Sequence, residues 1–197
     1  MKGSGKPHLN DIARDVRCLL AEKSVTLTTE YIPGPTNRAD RLSRTTSDKN
    51  DYAVRKSILE KVWSAMGVRP VVDMFAADHN AVLPVFWSWN RSPLAAAHDA
   101  MAQNWAAHNQ SWMHCNPPWP LIPAVLKKLR RDGGRVIAVL PMWKGMPWWG
   151  SVRKMQVGEM FVLTGKIFQD KWGRLMPPPR WETVMLMLDG RKSHPAH

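Results

Sequence analysis

Asn116-Pro117-Pro118-Trp119 follows an apolar run and precedes a stretch with helical spacing. An amide, two prolines and an aromatic at a strand end suit the capture of an unstacked nucleobase by its amino edge. The Asn116 carboxamide oxygen and the Pro117 carbonyl, held by a rigid Pro-Pro turn, can each accept a hydrogen bond from an exocyclic amine. The Trp119 indole offers a stacking face. An adenine amine is a poor nucleophile because its lone pair is conjugated with the ring. Two acceptors on its hydrogens return density to nitrogen, and a methyl group can then arrive in line from a sulfonium donor. Such catalysis is positioning and electrostatics, requiring neither metal nor covalent intermediate. The base must leave a duplex or already be single-stranded. The plainer reading is that Pro-Pro-Trp ends a strand and packs a core.

A donor site needs a second set of residues. In an open α/β sheet a nucleoside-type donor sits where the first strand ends, at a carboxylate and a tight turn. Val71-Val72-Asp73-Met74-Phe75-Ala76-Ala77-Asp78 supplies the strand and the acid. It has no glycine, and Ala76 and Ala77 are the smallest replacements. Asp73 either meets the donor or caps the next segment. Asn80 and Asp99 are further polar candidates on the same rim, with capping as the competing role, and Trp105 reads as core. Lys127, Lys128, Arg130 and Arg131 form a basic helix end, either a solvated face or a phosphate contact.

Other chemistries lack their residues. The sequence has no phosphate-binding Gly-x-x-x-x-Gly-Lys loop, and its seven His fall at no metal-pair spacing. Two cysteines, Cys18 and Cys115, are far apart, which argues against a disulfide scaffold and suits a reducing, intracellular compartment. No run is long and apolar enough for a bilayer. With 28 Lys+Arg against 16 Asp+Glu, the net charge of +12 favours polyanionic partners. Eleven Trp is a high number, read mainly as core and interface filler.

The elements that must position these residues follow from periodicity. Apolar spacing predicts helices over Asn10–Lys23, Tyr52–Met66, Leu94–Ala107 and Leu121–Arg131, with a short one over Asn37–Ser43. Gly67 and Gly133-Gly134 are placed to stop two of them. Alternating or continuous apolar runs predict strands at Ser24–Ile32, Val71–Phe75, Val85–Trp89, Trp112–Cys115, Arg135–Leu140, Glu159–Phe168 and Trp181–Leu188. The unbroken run at 135–140 implies burial on both faces of a parallel sheet. Pro141–Lys154 is Trp-rich and holds a short helix at most. The polar stretch Arg44–Asp51 reads as a linker. Strand and helix alternation after residue 51 implies an α/β sandwich with a central, mostly parallel sheet, the last two strands forming an antiparallel pair at one edge.

Two stretches resemble known families. Tyr31-Ile32-Pro33-Gly34-Pro35-Thr36-Asn37-Arg38-Ala39-Asp40-Arg41-Leu42-Ser43-Arg44 resembles the end of the ribonuclease H domain of retroelement polymerases, and residues 3–44 look like its final helix, strand and acidic segment. The resemblance puts Asp40 at a metal-holding carboxylate. The family's other carboxylates lie upstream of the matched segment, and one carboxylate cannot clamp two metal ions, so RNA cleavage is not expected. Residues 52–188 resemble the phage-type, Dam-like DNA adenine methyltransferase module that follows ribonuclease H in DIRS-type retrotransposons. The matching residues are Asp73-Met74-Phe75-Ala76 with Asn80, Ser88-Trp89, Asp99-Ala100 with Trp105, Asn116-Pro117-Pro118-Trp119 with Leu121-Ile122, Val139-Leu140-Pro141-Met142-Trp143, and Leu163-Thr164-Gly165-Lys166-Ile167-Phe168.

The resemblance implies a Rossmann-like methyltransferase sandwich over 51–190, an incomplete ribonuclease H remnant plus linker over 1–50 and a tail over 191–197. It implies S-adenosylmethionine as cofactor, DNA as substrate and the polymerase/ribonuclease H region of the same polyprotein as partner. Asn116 to Trp119 would form the catalytic turn, and Asp73 and Phe75 would meet the donor. The alternative is a non-catalytic, basic nucleic-acid-binding or structural module of a retroelement protein.

Overall fold

The computed structural model describes residues 7–28 and 52–193 of the 197. The chain divides into two units, Met1–Ser47 and Asp48–His197. In the first, helix α1 spans Pro7–Glu22, close to the predicted range. Val16 and Leu19, on its expected apolar face, are 42% and 57% exposed. The strand expected from Ser24 is not formed over 24–28: Ser24 takes a positive φ of 52°, and Val25 and Leu27 point to solvent. The left-handed residue breaks the alternation at its first position. The remainder of that strand, the Asn37–Ser43 helix and Asp40 lie outside the described residues.

In the second unit, strand β1 (Tyr52–Val54) precedes helix α2 (Lys56–Met66). The expected helix therefore starts four residues late. Tyr52 and Val54 alternate as strand residues do and pair with a later strand, β8 (Phe168–Asp170), in antiparallel register from Tyr52↔Asp170 to Val54↔Phe168. Gly67 ends α2 in the left-handed conformation (φ 67°), as its position predicts.

The main sheet contains β2 (Asp73–Ala76), β3 (Phe86–Ser88), β4 (Ala97–His98), β5 (Met113–Cys115), β6 (Arg135–Pro141), β7 (Gln156–Leu163) and β9 (Thr183–Asp189). Its order is β4-β3-β2-β5-β6-β9-β7. Neighbours from β4 to β6 are parallel, and β9 is antiparallel to both β6 and β7. This is the mostly parallel α/β arrangement read from the alternation, with the late antiparallel pair at one edge.

Helix α3 (Ile122–Asp132) and the short α4 (Trp149–Met155) cover one face. Ile122, Val125, Leu126, Leu129, Val152 and Met155 pack there with Val136, Ala138 and Leu140. Leu59 and Trp63 of α2 cover the other face, against Ile137, Val139 and Met185. Alternate residues of β6 thus enter two different cores, which is why its sequence is apolar without interruption.

Two further expected elements differ. Leu94–Ala107 is not one helix but β4 followed by single 3₁₀ turns at Ala100–Ala102 and Trp105–His108. Asp99 and Asn104 turn their carboxyl and amide oxygens onto the N–H groups of Met101 and Ala106, at 2.9 and 3.0 Å. These local side-chain bonds compete with a continuous helix. The predicted strand Glu159–Phe168 is two strands, β7 and β8, because Gly165 adopts φ 80° between them.

Candidate functional site

All strands from β2 to β6 run the same way, so their carboxyl ends share one rim. The order reverses between β2 and β5: the chain moves outward through β3 and β4, then returns to β5 on the other side of β2. Crevices for ligands form at such a switch point. Asn116 follows directly on β5 and is at this point.

Parallel register fixes the levels. Asp73 pairs with His114, so Asn116 lies two residues, about 7 Å, further toward the rim. Asp73 is 4% exposed, and its Oδ2 accepts the Val82 N–H at 3.0 Å. Of its two predicted roles, that geometry is the capping one. Ala76 reaches the rim opposite Ser88 across a register shift in β2, and Phe75 is half-buried against the α3-side core. Beyond them Asn80 Oδ1 accepts the Ala77 N–H at 2.6 Å and closes the turn that replaces a glycine loop. Ser92 donates to Asp78 at 2.5 Å, tying the next loop to this turn.

Asp99 stands at the end of β4 with φ 53° and ψ 94°, a conformation costly for a residue with a Cβ. Its own bond to the Met101 N–H and the Gln103 amide on its carbonyl oppose that cost. Trp105 is core, fully buried, with its indole N–H on the Ala100 carbonyl at 2.8 Å.

The corner itself is half-open. Asn116 and Trp119 are half-buried, Pro117 is buried and Pro118 exposed. Leu121 N–H bonds the Pro118 carbonyl at 2.8 Å, which commits that oxygen to the turn entering α3. Among the described residues neither the Asn116 carboxamide nor the Pro117 carbonyl has a hydrogen-bond partner. Trp119 belongs to an aromatic group. Its ring centroid is 4.7 Å from Trp181 and 5.4 Å from Trp143, both edge-to-face, and 6.2 Å from Tyr52. Three rings therefore fix the indole and occupy part of its perimeter.

Beneath the corner, His114 and Cys115 are buried in β5. Burial lowers the His114 imidazole from its ordinary value, against the opposing pull of the Asp73 charge. Burial first, and the Asp73 charge second, push the Cys115 thiol far up. Neither group is poised for acid-base or nucleophilic work at neutral pH. Among the described residues His114 Nδ1 has no hydrogen-bond partner, and its ring meets Trp63 edge-on at 5.5 Å.

The four basic candidates of α3 divide. Lys128 is 7% exposed, bonded to Asp132 at 2.6 Å and placed 5.0 Å over the Trp105 ring. Arg131 also pairs with Asp132, at 2.7 Å. Opposing its own desolvation, bonds from Arg131 and Lys128 hold the Asp132 carboxyl below its usual range. Lys127 and Arg130, one turn apart, line a cavity of about 300 Å³ with Pro123, Leu126, Pro147 and Trp148. A second cavity, about 240 Å³, lies at the end of α2 beside Trp63 and Arg69. Neither is bounded by Asn116–Trp119 or by the donor candidates. The basic cluster begins five residues into α3, about 8 Å along the helix from its start, and runs away from the corner.

Sequence reasoning missed Trp181, Tyr52 and Trp143 as partners of Trp119. The high tryptophan content was the available signal, but spacing does not say which of eleven indoles meet. Among the described residues no group of three or more His, Cys, Asp or Glu could hold a metal, and no helix is long and apolar enough to cross a membrane. Comparison with known families and with curated proteins finds no match.

Proposed function

We propose that the second unit transfers a methyl group from S-adenosylmethionine to the exocyclic amine of adenine in DNA. The observation that carries this reading is the unpaired acceptor pair at the switch point. Two acceptor oxygens on neighbouring residues, without partners among the described residues, suit a ligand bearing two N–H bonds. Asn116 Oδ1 and the Pro117 carbonyl would receive the amine, with Trp119 beside the base. Asp99, strained at the end of β4, and the Ala76–Asn80 turn would meet the donor's nucleoside part, while Phe75 would line its apolar side.

The sheet order supports the same reading. A parallel set that reverses at one point, with a late strand inserted antiparallel near one edge, fits the Rossmann-like methyltransferase sandwich expected from the resemblance. The order of the matching segments along the chain follows the order of these rim elements.

Calorimetry with S-adenosylmethionine tests the donor site, and heat of binding is expected. Asn116→Ala should lower methylation of an adenine-containing oligonucleotide by about a hundredfold or more while donor binding survives. Unchanged turnover removes the acceptor role.

A second reading is favoured by the edge-to-face rings around Trp119. An indole already fixed by Trp143, Trp181 and Tyr52 serves a non-catalytic, basic nucleic-acid-binding module as well as an enzyme. DNA binding that weakens steeply with salt, with no heat from S-adenosylmethionine, selects it.

A further inference from the structure

The loop between Leu163 and Thr183 leaves and rejoins the aromatic group around Trp119. It sets out through Phe168, 4.7 Å from Tyr52, and returns through Trp181, 4.7 Å from Trp119. Between these anchors the chain makes a tight hairpin. Asp170 organises its tip, its Oδ1 accepting the N–H groups of Trp172 and Arg174 at 2.9 Å and its Oδ2 bonding Arg174 Nε at 2.7 Å. Gly173 supplies φ 78° at the turn, and ladder bonds from Asp170 N–H to the Arg174 carbonyl and from Met176 N–H to the Phe168 carbonyl close the stem. Pro177, Pro178 and Pro179 stiffen the return limb.

This rigid turn presents an indole to solvent. Trp172 is 65% exposed, with the Lys171 ammonium 4.5 Å and the Arg174 guanidinium 4.6 Å from its ring centroid. A large aromatic is seldom left outward on a turn whose backbone is held this tightly, because exposure forfeits its burial. The surrounding charge says what it faces. Lys166, Lys171, Arg174 and Arg180 lie in the loop against Asp170 and Glu182, and Asp170 is neutralised by Arg174. An aromatic plane flanked by cations complements a strand whose bases stack and whose phosphates are negative.

We infer that the Trp172 turn grips the DNA strand that enters the Asn116 corner, its indole stacking on an unpaired base while Lys171 meets the adjoining phosphate. The inference rests on the proposed function for the identity of the strand. Trp172 is four residues from Phe168, so it stands within about 14 Å of the aromatic group, a few nucleotides along a strand. An exposed cation–π contact is weaker than a base stack, so Lys171 yields its place over the ring and follows the phosphate.

The test uses the full chain and fluorescence anisotropy with a dye-labelled, adenine-containing single strand, the same sequence as duplex, and polyglutamate as a polyanion without bases. Trp172→Ala is expected to weaken single-strand binding about five- to a hundredfold, with Trp172→Phe recovering most of it. Lys171→Gln is expected to reduce the slope of log affinity against log salt by about one. Weaker loss on duplex than on single strand supports stacking on an unpaired base. Wild-type affinity in Trp172→Ala, with an unchanged circular dichroism spectrum, overturns the inference. So does polyglutamate binding as strong as that of DNA. Donor calorimetry is independent: no heat from S-adenosylmethionine removes methyl transfer and leaves the Trp172 result standing, while methyl transfer with an inert Trp172 removes only this turn.

Discussion

At the start of α3 the Asn116 carboxamide and the Pro117 carbonyl have no partner among the described residues, although both sit in a half-buried corner. At its end two of the four basic residues are committed to one carboxylate. Lys128 and Arg131 hold Asp132, Arg135 and Arg191 hold Asp189, and Gly190 N–H bonds the Gly134 carbonyl at 2.9 Å. One helix thus joins a satisfied end to an unsatisfied one. The difference separates residues that hold the fold from residues available to a ligand, and it does so where sequence types alone mislead. Lysines and arginines draw attention at the satisfied end, and a single asparagine stands without a partner among the described residues at the other.

Substitutions should follow this division, with stability effects that shrink from the satisfied end to the open one. Gly190→Ala comes first. A Cβ there overlaps the Leu129 carbonyl of α3 itself, so the helix end and the 3₁₀ turn at Gly190–Ser193 must separate. A loss of about 3 kcal/mol is expected, a fall in melting temperature of roughly 6–12 °C by thermal denaturation. A neutral result means that the two ends are not so differently packed.

Asp189→Asn comes next. Burial alone would raise the Asp189 carboxyl, but hydrogen bonds from Arg191 and Arg135 bring it down to about 2. That value is below the unfolded one, near 3.9. Its stabilisation is therefore complete above about pH 4 and lost as pH falls through about 2. Asp189→Asn should cost on the order of 2 kcal/mol at pH 7 and flatten the urea-midpoint profile between pH 4 and 2. An unaltered profile would show the pair to be solvated.

His114 lies between the two ends in effect. Its buried imidazole titrates below the ordinary value, so the unfolded chain binds the proton more readily. Stability from this group is present above about pH 6.5 and falls as pH drops below it. His114→Phe should change stability at pH 7 by about 1 kcal/mol or less and reduce the loss between pH 6.5 and 5. The groups facing it are the Asp73 carboxylate and the Trp63 ring. Equal acid sensitivity in the variant places the titrating group elsewhere.

Asn116→Ala should change stability least, within about 0.5 kcal/mol, since no internal bond is lost. A stability loss comparable to that of Asp189→Asn would assign the carboxamide to the fold and erase the comparison.

Much of this is legible in the amino-acid sequence. The run at 135–140 announced a strand buried on both faces, and Gly67 and Gly133 end α2 and α3 in the left-handed conformation their positions imply. The Asn-Pro-Pro-Trp corner fell at a strand end next to a helix. What stayed hidden was decided by local competition or by distant partners. Asp99 and Asn104 break an apparently helical stretch because their short side chains reach the backbone first. Tyr52–Val54 is a strand only because Phe168–Asp170, more than a hundred residues later, lies beside it. Lys128 looked like a surface cation until Trp105 and Asp132 enclosed it. Trp172 carries no periodic signal at all, since its exposure follows from an Asp-organised turn rather than from spacing.

The placement of β9 bears on synthesis. Thr183–Asp189 fills the gap between β6 and β7 and bonds to both. A ribosome extending the chain has made every other described strand of this sheet before this one emerges. Until then two unfinished edges of an apolar sheet stand open to neighbouring nascent chains. A stop codon or proteolytic cut shortly before residue 183 would therefore leave a clump-prone intermediate rather than a shortened but otherwise sound protein.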